Sequence, residues 1–362
     1  MNHLNFSGGP GILPETVLAQ AQQAIAEVPE VGLSVLGISH RSDWFRAVVD
    51  EAERNIRALL ALPDSHAVLF LQGGASLQFS MVPMLLLRES GKTAEYLRTG
   101  YWSGKAIPEA AHHGKVRVLW DGEADGFRRL PRAEELSPAA DAAYFHYVSN
   151  ETVEGTQFHY LPGRDGVPRV CDMSSDFLSR PFAPARYQII YAHAQKNLGP
   201  AGVTVVLIQR DLLEQTPAGT PAFLDYRAHL KASSIYNTPP VFAIYVTLLV
   251  TRWLLHEIGS LESMAAINEA KAGCLYAAID ASGGFYQGVA ATGDRSRMNV
   301  AFRLPSAELE QAFLKEAARE GFSGLGGHRS LGGIRASIYN AMPLRSVERL
   351  RTFMEDFFRR MG

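Results

Sequence analysis

The chain has 362 residues, of which 47% are apolar and 20% are charged, and its formal net charge is −2. This composition is that of a globular protein with enough residues for two domains. The small net charge argues against a nucleic-acid partner, which usually requires a strong basic excess. Two cysteines are too few for a disulfide framework or a zinc site, and no metal site is predicted.

The first ten residues, MNHLNFSGGP, lack the basic and apolar regions of a secretory signal. The longest apolar stretches, such as residues 241–250, are shorter than the roughly 20 residues that span a bilayer. We therefore expect a cytoplasmic protein that does not cross a membrane.

Pro14 and Glu15 open a helical pattern that runs to about Val28, and a second helical pattern covers residues 44–62. Seven short apolar runs then alternate with helical patterns. These runs cover residues 67–71, 93–97, 116–120, 142–147, 167–171, 188–191 and 203–208. The alternation predicts an α/β domain with a mostly parallel seven-stranded sheet flanked by helices.

The pattern changes after Pro239. Helical and strand-like segments follow at residues 241–257, 261–281, 298–304, 307–320, 333–337 and 346–361, where the third and fifth are strand-like. This order predicts a smaller C-terminal α+β domain. We therefore predict domains at residues 1–255 and 256–362, with packing of residues 1–15 on the smaller domain as an open alternative.

Lys196 lies between the apolar run that ends at Tyr191 and a second apolar run, residues 203–208, with a turn containing glycine and proline in between. A lysine at a strand end among apolar residues loses hydration, which lowers its pKa and favours Schiff-base formation. For this residue taken alone, a surface lysine with a buried aliphatic stem is the alternative.

Asp172 follows the apolar run 167–171 and precedes Lys196 by 24 residues, so both fit the same edge of one sheet. Its carboxylate could pair with a protonated ring nitrogen or, alternatively, cap a helix. Gly73 and Gly74 follow another strand and precede a helix, a geometry in which backbone N–H groups and the Ser76 hydroxyl bind phosphate; a steric need for glycine is the alternative. Pyridoxal phosphate enzymes need such a lysine, carboxylate and phosphate cradle.

Aromatic and hydroxyl side chains add to this set. Trp102, after Tyr101 at the end of a predicted strand, could stack on a flat cofactor ring or belong to the core. Thr152 could hydrogen-bond the cofactor or cap a turn.

Two His-Arg pairs, His40–Arg41 and His328–Arg329, lie in segments rich in glycine and serine, and Arg335 follows the second pair. Arginine suits bidentate binding of carboxylate or phosphate. Three arginines exceed what one carboxylate requires, so the pattern favours a substrate that also carries a phosphate. Scattered surface arginines are the alternative.

The ordered set of motifs resembles the phosphoserine aminotransferases, pyridoxal phosphate enzymes of fold type I, over essentially the whole chain. The motifs are NFSGGPGILP (5–14), SHR (39–41), QGGASLQF (72–79), GYW (100–102), NET (150–152), AQKNLGPAG (194–202), YNTPP (236–240), RSRMN (295–299), GHR (327–329) and RASIYNAM (335–342).

The resemblance implies a role for each matching residue. Lys196 would bind pyridoxal phosphate and move a proton during the reaction, Asp172 would pair with the ring nitrogen, and Trp102 would stack on the ring. Thr152 would hydrogen-bond the ring oxygen. The cofactor phosphate would be held by Ala75, Ser76 and Gln195, with Asn237 and Thr238 reaching over from a partner subunit.

On the substrate side, the resemblance assigns the carboxylate to Arg335, assisted by Ser7. The substrate phosphate would meet His40 and Arg41 on one side and His328 and Arg329 on the other. The other protomer would contribute His328 and Arg329. A shared site of this kind implies a homodimer. Some relatives carry a third glycine and an arginine or cysteine in place of Ala75 and Ser76, which leaves open any side-chain charge on the cofactor phosphate.

The activity that the resemblance implies is transfer of the amino group of glutamate to 3-phosphohydroxypyruvate, giving O-phosphoserine and 2-oxoglutarate in serine biosynthesis. Use of 3-hydroxy-2-oxo-4-phosphooxybutanoate in vitamin B6 biosynthesis stays open. One alternative is a fold type I aminotransferase for unphosphorylated substrates, of the alanine–glyoxylate or serine–pyruvate type. Another is a binding module that keeps the fold without catalysis.

Overall fold

The computed structural model describes residues 2–362, with Asn2 described by its backbone. The helices of this part of the chain are α1 (Glu15–Ala26), α2 (Asp43–Leu60), α3 (Gly74–Leu86), α4 (Tyr101–Ala111), α5 (Tyr226–Lys231), α6 (Val241–Trp253), α7 (Leu261–Ala281), α8 (Ala307–Arg319) and α9 (Leu344–Met361). A π-helical turn, Leu254–Ile258, extends α6.

The strands are β1 (His66–Leu71), β2 (Thr93–Arg98), β3 (Lys115–Asp121), β4 (Phe145–Val148), β5 (Asn150–Glu151), β6 (Thr156–Gln157), β7 (Arg169–Asp172), β8 (Ile189–His193), β9 (Thr204–Gln209), β10 (Gln287–Gly288), β11 (Asn299–Arg303) and β12 (Ile334–Ser337). Strands β5 and β6 form a small antiparallel hairpin.

Seven strands form the main sheet in the order β1–β9–β8–β7–β4–β2–β3. All neighbours from β8 to β3 are parallel, whereas β9 runs antiparallel to both β8 and β1. The predicted fold class, a mostly parallel seven-stranded sheet flanked by helices, is confirmed. Parallel strands end at a common edge, so Asp172 at the end of β7 and Lys196 just after β8 lie on the same side of the sheet.

Alternate residues of the strands face two different layers of helices. In β1, Val68 and Phe70 pack in a core with residues of α2 and α6, whereas Ala67 and Leu69 pack in a core with residues of α3 and α4. Every residue of β1 is buried. Burial on both faces explains why the strands appear in the sequence as continuous apolar runs and not as alternating patterns.

Helix α6 with its π turn, Val241–Ile258, has 18 residues and a mean hydropathy of 1.5, so its length and composition match those of a membrane-spanning helix. The apolar stretch expected from the sequence, residues 241–250, covers only the first ten residues of this helix and is therefore too short. A buried core helix has the same properties, and this one packs on α2. Arg252 pairs with Glu51 at 2.5 Å, and Asn55 donates a hydrogen bond to Thr251 at 3.0 Å.

The C-terminal residues form an antiparallel sheet, β10–β11–β12, which packs with α7, α8 and α9 around a core rich in phenylalanine. Phe313 contacts Phe302, Phe353 and Phe357 through ring centroids 5.0–5.9 Å apart. Leu4 and Phe6 belong to this same core, so the N-terminal segment packs on the C-terminal part of the chain. The predicted order of helices and strands is found, and β10 is additional, because a two-residue strand leaves no apolar run.

Candidate active site

Lys196 lies in the turn after β8, and its side chain reaches the β5–β6 hairpin. Its Nζ donates a hydrogen bond to the Thr152 hydroxyl at 2.5 Å and lies 5.0 Å from the centre of the Trp102 ring. Loss of hydration lowers the pKa of Lys196 to about 8, while the charges of Asp172 and Glu151 oppose this shift. More of this amine is therefore unprotonated and nucleophilic near neutral pH than in an ordinary lysine.

Asp172 is the buried last residue of β7. Its Oδ1 accepts a hydrogen bond from the backbone N–H of Ser174 at 2.8 Å. Burial raises the pKa of Asp172, and the positive charge of Lys196 and the bonds from Ser174 lower it. A buried carboxylate of this kind is stabilised by a cationic partner, such as Lys196 or the protonated ring nitrogen of a bound molecule.

Gly73 and Gly74 join β1 to α3 with left-handed backbone angles, φ 87° and 69°. A Cβ on Gly74 would lie 3.3 Å from Nδ1 of His193, so both the backbone and the available space favour glycine. Ala75 and Ser76 follow in the first turn of α3. Backbone N–H groups of a first turn have no acceptor within the helix and therefore bind anions.

These elements meet around one cavity of about 390 Å³. Its lining residues are Gly73, Gly74, Ala75, Ser76, Trp102, Asp172, Ser174, His193, Gln195, Lys196 and Gly202. The cavity thus combines a helix start, an indole ring, a carboxylate and an amine of lowered pKa. Six residues predicted for cofactor binding line it, and Thr152 contacts it through Lys196.

His193 and Ser174 also line this cavity, although sequence reasoning did not single them out. The Ser174 hydroxyl accepts a hydrogen bond from the backbone N–H of His193 at 3.1 Å. Burial and the charge of Lys196 lower the pKa of His193. The available signal was its place three residues before Lys196, and a lone histidine beside an apolar run is too weak an indication.

Arg335 of β12 extends to the same hairpin, where its Nη1 donates to the carbonyl oxygen of Thr152 at 3.4 Å. A Cβ on Gly8 would lie 2.2 Å from its Nη2, so glycine leaves room for the guanidinium. The buried Nε has no hydrogen-bond partner among residues 2–362. Ser7, next to Gly8, donates its hydroxyl to Asn5 at 2.6 Å. A cation with a free donor suits a carboxylate ligand.

His328 lies near Arg335 of its own chain. Its ring centroid is 4.6 Å from that of Tyr101, and its Nδ1 is 2.7 Å from the Ser330 hydroxyl. Partial burial and the charges of Arg335 and Arg329 lower the pKa of His328. The second predicted His-Arg pair is therefore on the side of the site where Arg335 lies.

A second cavity, of about 740 Å³, is lined by the predicted site residues that have not yet been described. Gln72, next to the glycine turn, donates a hydrogen bond to the carbonyl oxygen of Thr238 at 2.8 Å. Four predicted residues line this cavity and not the one around Lys196: His40, Arg41, Asn237 and Thr238. A single chain thus does not bring all the predicted residues together.

The family model described as "Aminotransferase class-V" matches residues 3–350. A phosphoserine aminotransferase from Laribacter hongkongensis is 52% identical to this chain, with 100% of each chain covered. The chain belongs to the phosphoserine aminotransferases. Among the solved structures of that family, the enzyme from Bacillus circulans subsp. alkalophilus has a TM-score of 0.96 at 48% identity, with 99% of this chain and 98% of that chain covered.

A phosphoserine aminotransferase from Trichomonas vaginalis, solved with pyridoxal phosphate bound, has a TM-score of 0.90 at 36% identity, with 97% of this chain and 99% of that chain covered. The predicted family is confirmed, and pyridoxal phosphate is the cofactor of this class-V aminotransferase.

The residues around Lys196 fit that cofactor. The first turn of α3 lines the cavity at Gly74, Ala75 and Ser76, which suits the binding of a phosphate by its backbone N–H groups. Asp172 offers a buried carboxylate to a ring nitrogen, and Trp102 offers an aromatic face. Ala75 and Ser76 offer backbone N–H groups, and Ser76 offers a hydroxyl, to an anion at this helix start.

Proposed function

We propose that the chain transfers the amino group of glutamate to 3-phosphohydroxypyruvate, giving O-phosphoserine and 2-oxoglutarate, as serine biosynthesis requires. One observation carries the proposal: Lys196, with a pKa of about 8, shares a cavity with the buried Asp172 in a chain 52% identical to a phosphoserine aminotransferase. Both half-reactions use this one site.

Pyridoxal phosphate, when bound, supplies an electron sink for the reaction at the substrate α-carbon. Asp172 would hold the pyridine nitrogen, Trp102 would contact the face of the ring, and Thr152 would hydrogen-bond the ring oxygen. Lys196 would take up the proton of the substrate α-carbon and return it, a task that suits an amine of lowered pKa. Ala75, Ser76 and Gln195 would hold the phosphate, together with Asn237 and Thr238 of the partner subunit.

Substrate binding uses the arginines. Arg335, assisted by Ser7, binds the α-carboxylate of both substrates. The His-Arg pairs bind either the side-chain carboxylate of glutamate or the phosphate of the oxo acid, because both are anions at the far end of the substrate. The pairs are His40 with Arg41 and His328 with Arg329.

The two cavities support a homodimer with shared sites. His328 lies beside Arg335 of its own chain, whereas Arg41 lines the second cavity with Asn237 and Thr238. We therefore assign the crossing to His40 and Arg41, whereas sequence analysis assigned it to the second His-Arg pair.

Hybrid dimers test this assignment. A dimer of one Lys196→Ala subunit and one Arg41→Ala subunit regains one complete site if Arg41 crosses over, and it stays inactive if Arg41 serves its own subunit. The dimer of one Lys196→Ala subunit and one Arg329→Ala subunit should stay inactive, because Arg329 serves its own subunit under the same assignment.

The experiment that tests the function is a spectral titration of the purified yellow protein with glutamate and then with 3-phosphohydroxypyruvate. Glutamate should remove the absorption of the lysine-bound cofactor, and the phosphorylated oxo acid should restore it. Comparable rates with glyoxylate or pyruvate would contradict the substrate assignment and favour an aminotransferase for unphosphorylated substrates. The four-carbon 3-hydroxy-2-oxo-4-phosphooxybutanoate belongs in the same assay.

The Arg329→Ala variant tests the phosphate site within that assay. It should raise the KM for 3-phosphohydroxypyruvate by about 10- to 100-fold, because a charged hydrogen bond to the phosphate is lost. The absorption of the lysine-bound cofactor should stay intact. If that absorption is lost instead, Arg329 is structural.

The remaining proposals concern organisation. The separate C-terminal core supports a division into residues 1–255 and 256–362, with residues 1–15 packed on the second part. The charge balance and the core position of α6 support a cytoplasmic enzyme without nucleic-acid or membrane partners. Fractionation of cells that express the tagged protein tests the location.

A further inference from the structure

Residues 150–155 of the β5–β6 hairpin connect three parts of the proposed site. Thr152 accepts the hydrogen bond of Lys196 through its hydroxyl and that of Arg335 through its carbonyl. The two acidic residues of this segment, Glu151 in β5 and Glu154 in the turn, point to the start of helix α4, which carries Trp102. Both acids are buried, with 1% and 5% of their surface exposed.

The two carboxyl groups accept the N–H groups of the first turn of α4. Glu151 accepts from the backbone N–H groups of Trp102 and Ser103 and from the Thr99 hydroxyl, each at 3.1 Å. Glu154 accepts from the N–H of Tyr101 at 2.9 Å. The donors that would otherwise be unsatisfied at this helix start are thus paired with the two carboxyl groups, and a negative charge there complements the positive end of the helix.

The two carboxyl groups lie side by side over Gly100. A Cβ on Gly100 would lie 2.7 Å from the carboxyl carbon of Glu154 and 2.8 Å from that of Glu151. Glu154 also has an oxygen, Oε2, that is buried and lacks a hydrogen-bond partner among residues 2–362. Two adjacent buried carboxylates do not both ionise readily, and the one with fewer donors keeps its proton. Glu151 has three donors and Glu154 has one.

We propose that Glu151 and Glu154 form a buried acid pair carrying a single negative charge, in which Glu151 positions Trp102 and the protonated form of Glu154 preserves the attraction of Arg335 for the substrate carboxylate. The part that concerns Arg335 rests on the proposed function. Both acids act through other residues and are positioning residues.

The groups that face Glu154 set the direction of its titration. Burial and the charge of Glu151 raise the pKa of Glu154 to about 8, and the Tyr101 N–H and Arg335 oppose this shift. Lys196 faces Glu151, and His328 faces Arg335. When Glu154 ionises, a second negative charge appears near Arg335, which weakens the binding of an anionic substrate.

The experiment compares holoenzyme preparations of wild type, Glu154→Gln and Glu151→Gln. In wild type, the KM for glutamate should rise by roughly three- to tenfold between pH 7 and pH 9, because ionised Glu154 adds one negative charge near Arg335. Glu154→Gln should flatten this rise, because glutamine cannot ionise. The Lys196 titration stays in both proteins and cancels in the comparison. An unchanged rise in Glu154→Gln would overturn the role of Glu154.

Glu151→Gln replaces the charged acceptor and turns an amide donor towards the N–H groups of α4. It should change the circular dichroism of the bound cofactor and lower kcat by at least about tenfold, since Trp102 loses its fixed position. Glu269→Gln, which removes a surface ion pair with Arg297, is the matched control for a Glu-to-Gln change. A dichroism spectrum and kcat like those of the control would overturn the role of Glu151.

Thermal unfolding provides a measurement that does not depend on turnover. The unfolded chain releases the Glu154 proton above about pH 4.5. The folded protein keeps this proton up to about pH 8, because the pKa of Glu154 is raised there. The stability of wild type relative to Glu154→Gln should therefore fall between pH 5 and pH 8 and level off above. If wild type lacks transaminase activity but this difference appears, the proposed function fails while the acid pair stands. A pH-independent difference in melting temperature contradicts the pair itself.

Discussion

Two lysines with lowered pKa values, Lys196 and Lys271, occupy very different surroundings. Lys196 is half-buried, donates to one hydroxyl, lies near the carboxylate of Asp172 and lines a cavity. Lys271 on α7 is fully buried and donates to the carbonyl oxygens of Tyr339, Ile338 and Asn340 at 2.7, 3.0 and 3.4 Å. Burial lowers its pKa to about 7.

The surroundings of Lys196 suit a chemical role, whereas those of Lys271 suit a structural one. Lys271 has the lower pKa, yet its amine is enclosed by carbonyl oxygens and holds the chain just after β12. Asn340 in that segment donates its backbone N–H to the side chain of Asn197, the neighbour of Lys196, at 2.8 Å. A lowered pKa thus marks a reactive lysine only where an open cavity and a carboxylate accompany it.

The largest expected effect comes from Lys196→Ala. Because Lys196 is the amine proposed to move the proton, kcat should fall by about 10⁴-fold, at the upper end of what a positioned acid–base group contributes. Borohydride reduction of wild type should attach the cofactor to Lys196. Peptide mapping checks this result, and a label on Lys271 or on any other lysine would contradict the distinction between the two residues.

Asp172→Asn should lower kcat by about 100-fold or more, since the residue proposed to pair with the ring nitrogen loses its negative charge. The same change removes a charge that raises the pKa of Lys196, so that pKa should move further below 8. The pH dependence of cofactor capture by the cofactor-free protein measures this shift. An upward or absent shift would show that Asp172 does not act on Lys196.

Much of the fold is predictable from the sequence, because each buried strand is an apolar run between helical patterns. Strand ends are less certain: the run 142–147 becomes β4 at Phe145–Val148, since Ala142 and Ala143 are apolar because they are buried, although they precede the strand. The β5–β6 hairpin and β10 have two residues per strand, too few for any periodicity.

The part of the site at the carboxyl edge of the sheet was predictable for the same topological reason, with Asp172 and Lys196 after neighbouring strands. The acid pair and Lys271 were not. A glutamate or lysine within a turn or helix is usually solvated, and burial depends on which distant segment covers it. The grouping of Arg41 with Asn237 in a second cavity likewise depends on tertiary packing.

Lys271→Met should spare the cofactor-bound lysine but lower the free energy of unfolding by about 2–4 kcal/mol, because buried carbonyl groups lose their donor. Lys271 keeps its proton in the unfolded chain up to about pH 10.5 and loses it in the folded protein above about pH 7. The stability of wild type relative to Lys271→Met should therefore rise between these pH values. Urea unfolding at pH 7 and pH 9 measures both effects, and a constant difference would place a charged Lys271 in the folded state.

The smallest expected effect is that of Thr152→Val, which removes the hydroxyl that accepts the hydrogen bond of Lys196. In the loaded enzyme the proposed partner of this hydroxyl is the ring oxygen, and loss of one such bond costs about 1 kcal/mol, so kcat should fall by about three- to tenfold. The bond favours the charged amine, and its removal should lower the pKa of Lys196 slightly, seen again in the pH dependence of cofactor capture. Thr156→Val is the matched control in the same hairpin, because the buried Thr156 hydroxyl has no partner among residues 2–362. If both variants behave alike, the Thr152 hydroxyl contributes nothing to Lys196 that a buried methyl group cannot replace.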